Sequence, residues 1–174
     1  KKKYGPLEVV EILSDPAAPY IVLLHGYGAD CNDLVSLHQA IPLGQKVNWI
    51  FPNGHQKVEL GPHMEGRAWF PISVAALQQT QITGTPLDLS NIVPPGLGKA
   101  RQYLLEMLRE LNVPISRVVL GGFSQGAMLA CEVTLKLAEI PAGLAILSGT
   151  PVNFVEWRKL APEKKGFRFF QSHG

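Results

Sequence analysis

The sequence predicts an α/β fold, with a mainly parallel sheet and flanking helices, on three observations. Strand-like and helix-like patterns alternate along the chain. Residues 21–24, Ile-Val-Leu-Leu, form a short continuous apolar run, as expected of a parallel strand buried on both faces. Residues 117–130 then read as an apolar strand, the pentapeptide Gly122-Phe123-Ser124-Gln125-Gly126, and a sequence suited to a helix.

The elements follow in order. Residues 7–13 alternate and predict a half-exposed strand near the sheet edge. After the 21–24 strand, residues 33–40 predict a short helix closed by Pro42, and residues 47–51 a further strand ended by Pro52-Asn53-Gly54. Residues 53–91 have little periodicity and read as a long binding connection around Trp69-Phe70. From Pro94 to Leu111, apolar residues recur at helical spacing (Leu97, Tyr103, Leu104, Met107, Leu108, Leu111). Beyond the pentapeptide the patterns predict a helix over 125–138, a strand over 143–147, a helix near 155–160 and a strand over 167–171. No repeat or linker divides the chain, so residues 1–174 read as a single domain. It ends directly after a predicted core strand and so is expected to lack its C-terminal part.

Composition excludes several classes. Sixteen Lys and Arg against fourteen Asp and Glu leave a formal charge of +2, no electrostatic case for nucleic acid. Lys1, Lys2 and Lys3 read as a mobile solvated end, and Lys164-Lys165 as a solvated turn. No apolar run approaches the ~18 residues of a membrane span, and no signal-peptide pattern follows the lysines. Cys31 and Cys131 make neither a disulfide framework nor a metal pattern, so a reducing cytoplasm is the expected setting. His55, His63 and Glu65 fit no common zinc spacing, and no metal or cofactor is implied.

The chemistry is concentrated at Ser124. A serine at a strand-to-helix turn, with glycine two residues away on each side, is the pattern of a nucleophile elbow. Bulkier neighbours would collide with the adjoining strand and helix. The helix that begins there aims free N–H groups at the site, placing the amide of Gln125 to stabilise an oxyanion. In parallel sheets, ligands bind beyond the carboxyl ends of the strands. That rule selects His25-Gly26-Tyr27-Gly28-Ala29-Asp30, the 52–71 connection, the elbow and Ser148-Gly149-Thr150. Asp30 and Asp33 read as loop or helix caps.

Together, Leu24 to Asp30, Gly122 to Ala127, Leu147-Ser148-Gly149 and the closing Ser172-His173-Gly174 resemble the carboxylesterase/lysophospholipase family, which includes the acyl-protein thioesterases, within the α/β-hydrolase fold. Four motifs in family-like order cover nearly the whole chain. The resemblance implies Ser124 as nucleophile, the backbone amides of Tyr27 and Gln125 as the oxyanion hole, and Trp69-Phe70 as the segment near the acyl pocket, with Trp69 binding substrate. Pro71 stands where the family has an aspartate. By order, His173 matches the motif that precedes the family's catalytic acid, not its histidine. The resemblance implies hydrolysis of a small-molecule ester, thioester or lysophospholipid. A homodimer is the assembly that would replace a missing C-terminal element across its interface. The alternative is a catalytically inactive module that binds acyl compounds or a partner, because the triad Asp and His are not in this chain.

Overall fold

Alternation along the strands sorts side chains to the two faces of one sheet. In the computed structural model, which describes residues 1–85 and 88–173, Val22 and Leu24 pack into one core with Ile50, and Leu23 packs into another with Trp49 and Phe51. That is the period of two expected of strands covered on both sides.

The sheet has seven strands: β1 (Lys2–Tyr4), β2 (Leu7–Ile12), β3 (Tyr20–Leu24), β4 (Asn48–Pro52), β7 (Val118–Phe123), β8 (Gly143–Leu147) and β9 (Phe169–Ser172), in the order β1-β2-β4-β3-β7-β8-β9. β2 runs antiparallel to both β1 and β4, whereas β4, β3, β7, β8 and β9 are mutually parallel. Between β4 and β7 lie a two-stranded hairpin, β5 (Gln56–Gly61) and β6 (Met64–Ala68), and the helices α2 (Val74–Thr83) and α3 (Leu97–Leu111); α1 (Leu37–Ala40), α4 (Gln125–Lys136) and α5 (Phe154–Leu160) complete the chain.

The larger core lies under α3 and α4. Leu97, Ala100, Leu104, Met107 and Leu108 form the buried stripe of α3, and α4 is buried continuously from Gln125 to Thr134. A buried carboxylate ties three helices together. Glu132 of α4 accepts hydrogen bonds from Arg101 of α3 (2.6 Å) and from the Trp157 indole of α5 (2.6 Å), and lies 3.3 Å from Lys136. Leaving such a buried charge unpaired would cost several kcal/mol, so this network fixes α4, and with it the turn at its N-terminus.

Four expectations are corrected. The lysine end is not simply solvated: Lys2–Tyr4 pairs with β2, and the Lys2 ammonium sits 4.7 Å over the Tyr4 ring. The unpatterned 53–91 stretch contains the hairpin and α2. The helix expected over 33–40 shrinks to Leu37–Ala40, because the preceding residues close i→i−3 turns (Asp33 to Asp30, Val35 to Asn32) and Ser36 makes no side-chain cap. Lys164 is not free in solvent: its ammonium donates to the Leu137 carbonyl.

Candidate active site

Sheet register places four loops side by side. Leu24 is level with Gly122, Phe123 with Leu147, and Leu147 with Ser172. The residues that follow these strands (His25, Ser124, Ser148 and His173) therefore emerge along one carboxyl edge.

Ser124 sits between β7 and α4 at φ 51° and ψ −114°. For a non-glycine residue this is a strained conformation costing roughly 1–3 kcal/mol. Its N–H donates to the Leu147 carbonyl (2.8 Å), which fixes the turn against β8. The flanking glycines are required by contact distances. A Cβ on Gly122 would stand 2.3 Å from the Gly126 carbonyl carbon, and one on Gly126 2.3 Å from the Leu24 carbonyl oxygen.

The oxyanion-loop candidate, residues 25–30, is held from two sides. The Gly28 N–H donates to Arg67 O, and the Arg67 N–H donates back to Ala29 O, both at 2.8 Å. Through these bonds the β5–β6 hairpin becomes a brace for the loop. A Cβ on Gly66 would meet the Gly28 carbonyl oxygen at 2.1 Å, so this approach needs glycine. On the other side, the His25 imidazole is buried; its Nε2 accepts the Gly54 N–H (2.9 Å). The ring proton therefore resides on Nδ1, which donates to Gly26 O at 2.7 Å. Burial holds the His25 pKa below its usual value, outweighing the opposing pull of the Gly26 carbonyl.

Trp69 is fully buried, and its indole N–H donates to His25 O (2.9 Å). Gln125, also fully buried, uses its side chain on the same segment: Oε1 accepts the Trp69 N–H (2.9 Å) and Nε2 donates to Phe70 O (2.7 Å). Among the described residues, the main-chain N–H groups of Tyr27 and Gln125 have no acceptor within the protein. The sequence pattern singled out the Gln125 amide and the resemblance the Tyr27 amide; neither singled out the Gln125 side chain or the His25 ring. A lone amide and a lone imidazole among buried apolar residues were the available signal.

Asp30 does cap its loop, its carboxylate accepting from the Asn32 backbone N–H (2.7 Å). His173 is exposed at the end of β9, and Gly174, the last residue of the closing motif, lies outside the described residues. Among the described residues, no histidine or carboxylate is hydrogen-bonded to Oγ of Ser124, and no group of three or more His, Cys, Asp or Glu converges as a metal site. Burial pushes the Cys131 thiol up to about 12, so it is not a nucleophile at neutral pH. A cavity of about 650 Å³ between the C-terminal ends of α3 and α4 lies at the amino edge of the strands, away from Ser124. A smaller one of about 240 Å³ opens beside Phe70 and is lined by Pro71, Ile72, Leu89, Ile92 and Pro94.

A mainly parallel sheet with helices on both faces and a strained serine turn at its carboxyl edge is an α/β-hydrolase architecture. The phospholipase/carboxylesterase family matches residues 6–174, and the chain belongs to that family. It is 28% identical to acyl-protein thioesterase 1 of Aspergillus fumigatus over 93% of this chain and 73% of that protein. It is 25% identical to acyl-protein thioesterase 1 of Candida albicans, but spans only 55% of that protein's length. Among solved structures, esterase PE8 is similar in fold at a TM-score of 0.72 and 22% identity, covering 97% of this chain and 89% of that one. Acyl-protein thioesterase 2 of Zea mays follows at 0.64 and 18%, covering 98% and 76%. Among the described residues, no helix is long and apolar enough to cross a membrane.

Proposed function

We propose that this chain carries the nucleophile and oxyanion site of a serine hydrolase that cleaves carboxylic esters or thioesters with an apolar acyl group. The observation that carries the reading is Ser124, held at positive φ between two obligatory glycines, beside the unpaired amides of Tyr27 and Gln125. Membership of the phospholipase/carboxylesterase family and the named thioesterase relatives support the substrate class.

In this reading Oγ of Ser124 attacks the acyl carbonyl, and the developing oxyanion accepts from the Tyr27 and Gln125 N–H groups. The tetrahedral intermediate collapses, expelling the alcohol or thiol, and water then releases the acid from the acyl-enzyme. Trp69, fully buried, does not touch substrate in this reading; the Phe70 and Pro71 that follow it line the 240 Å³ apolar cavity, which suits an acyl chain. Serine attack needs a general base oriented by an acid. The reading takes both from outside these 174 residues, in keeping with the 55% and 73% of its relatives' lengths that the chain spans. A cytoplasmic setting belongs to the same reading, supported by two buried, unpaired cysteines.

A second reading, an acyl-binding module without catalysis, is favoured by one observation: the absence of a base on Ser124 Oγ among the described residues. Intact-mass spectrometry before and after incubation with a fluorophosphonate separates the two. On protein whose chain continues beyond residue 174 and supplies the base and acid, one stoichiometric adduct mapped to Ser124 is expected. No adduct on folded protein would overturn the hydrolase reading in favour of the binding module.

A further inference from the structure

We infer that the Gln125 side chain is a positioning residue that sets the orientation of the opposite oxyanion donor, the Tyr27 N–H, through a hydrogen-bonded relay of Trp69 and His25. The kinetic consequence rests on the serine-hydrolase reading; the relay itself does not.

The relay is continuous. The Gln125 amide grips the backbone of two consecutive residues, accepting from Trp69 N–H and donating to Phe70 O. Only one amide orientation satisfies both, so the side chain is fixed in plane as well as in position. Thus held, Trp69 donates its indole N–H to His25 O, and its ring lies 5.1 Å from the imidazole. His25 in turn is fixed by the Gly54 N–H on Nε2 and donates Nδ1–H to Gly26 O.

The last bond decides the argument. The Gly26 carbonyl and the Tyr27 N–H belong to one planar trans peptide unit and point in opposite directions. The Gly26 carbonyl also accepts the Ala29 N–H at 3.3 Å, but the His25 bond at 2.7 Å is the closer anchor, and by fixing the carbonyl it aims the N–H. Residue 125 thus acts twice at the site, presenting its own main-chain N–H directly and orienting its counterpart through side chains. All of the groups that link the two are buried (Gln125, Trp69, Phe70, His25, Gly54), so water does not readily substitute for a lost bond.

The test uses Gln125→Met, which keeps length and volume but neither hydrogen bond, and Gln125→Glu. In the second variant a neutral carboxyl can reproduce both bonds, whereas the ionised form cannot donate to Phe70 O. With hydrolysis of an acyl ester as readout, Gln125→Met is expected to lower kcat at least tenfold at nearly unchanged KM, since a misaimed donor is felt in the transition state. Gln125→Glu should regain activity relative to wild type as pH falls, a profile that a merely structural role would not produce. Independently of activity, hydrogen exchange at the Trp69 indole and at the Gly54 amide, which does not touch residue 125, should accelerate at least tenfold in Gln125→Met. Exchange within the β2–β4 ladder should not change. Acceleration confined to the Trp69 amide, or wild-type kcat in Gln125→Met, would overturn the relay. If wild-type protein takes up no fluorophosphonate, the hydrolase reading fails, while the exchange result still decides the relay. Should Gln125→Met not fold, the exchange and pH profile of Gln125→Glu decide it.

Discussion

The two flanks of Ser124 are built differently. Toward α4 and the hairpin, Leu24, His25, Trp69, Phe70 and Gln125 are all but fully buried, and glycines let backbones meet at distances no side chain tolerates. Toward β8 and β9, side chains open to solvent: Ala145, Ile146 and Leu147 are only half-buried, and Phe169 and Phe170 are 65% and 62% exposed. The closed flank holds the groups proposed to bind an oxyanion, which must be aimed before the reaction starts. The open flank is where His173 emerges, and in the proposed reading it is the side left free for an acid and a base. In the proposed reading, donor orientation is set by packing close to the elbow, and proton transfer by groups that stand over the open edge.

The sharpest way to break this contrast is at the elbow itself. Ser124→Ala is expected to lower hydrolysis at least about a thousandfold, without unfolding the protein, because Oγ of Ser124 makes no hydrogen bond within the described residues. Wild-type turnover in that variant would sink the serine mechanism. Ser124→Gly should be equally inactive yet about 1 kcal/mol more stable to urea, since glycine tolerates φ 51° without strain. Next in size is a pair of glycine substitutions. Gly126→Ala places a methyl group 2.3 Å from Leu24 O and 2.6 Å from His25 O, both backbone atoms that cannot step aside, and should cost at least about 4 kcal/mol. Gly143→Ala, on β8, meets nothing closer than 3.5 Å and should cost no more than about 1 kcal/mol. Equal losses in chemical denaturation would mean that the two flanks are equally constrained.

How much was legible in the sequence follows the same division. The elbow could be read because its demands are local: a serine at positive φ in a tight strand-to-helix turn requires small neighbours, and Gly122 and Gly126 are written into the pentapeptide. β3 and α3 were legible from continuous apolar character and from helical spacing. The hairpin was not. β5 reads Gln-Lys-Val-Glu-Leu-Gly and is largely exposed, and its anchor is the pair of Gly28–Arg67–Ala29 backbone bonds made across the fold. α2 carries no clear apolar stripe, and β1 is a run of lysines held by pairing with β2. The sequence offered candidate amides; the hydrogen bonds that link residues 25, 69 and 125 were not legible, because nothing in spacing reveals them.

A pH experiment sharpens the comparison further. The folded-state pKa of His25 lies below its usual 6.5, chiefly through burial, and His55 is shifted the same way by burial and then by Lys99. In the window below about pH 6.5 the unfolded chain therefore binds more protons than the folded one, and stability falls as pH falls. The lowered carboxylates Asp30, Asp88 and Glu156 lose their contribution only below the ordinary carboxylate range, at more acid pH. Between about pH 5 and 6.5, the loss is thus assigned to the two histidines. His25→Gln should flatten the dependence of unfolding free energy on pH across that window. An unchanged slope would mean that the His25 imidazole is not held neutral on the closed flank.

The smallest expected effect lies on the open flank. Phe169 and Phe170 point to opposite faces of β9, and neither sits in a formed core, so Phe169→Thr should change the stability of the 174-residue chain by less than about 0.5 kcal/mol. Threonine keeps strand propensity, so the variant reports the packing of the ring and little else. The same substitution in a protein whose further chain covers β9 would remove a buried aromatic side chain and cost about 3 kcal/mol or more. Measured on both lengths of chain, the difference gives what covering the Phe169 ring contributes to stability. A large loss already in the 174-residue chain would mean that Phe169 is packed against something here, and that the flanks differ less than their exposures suggest.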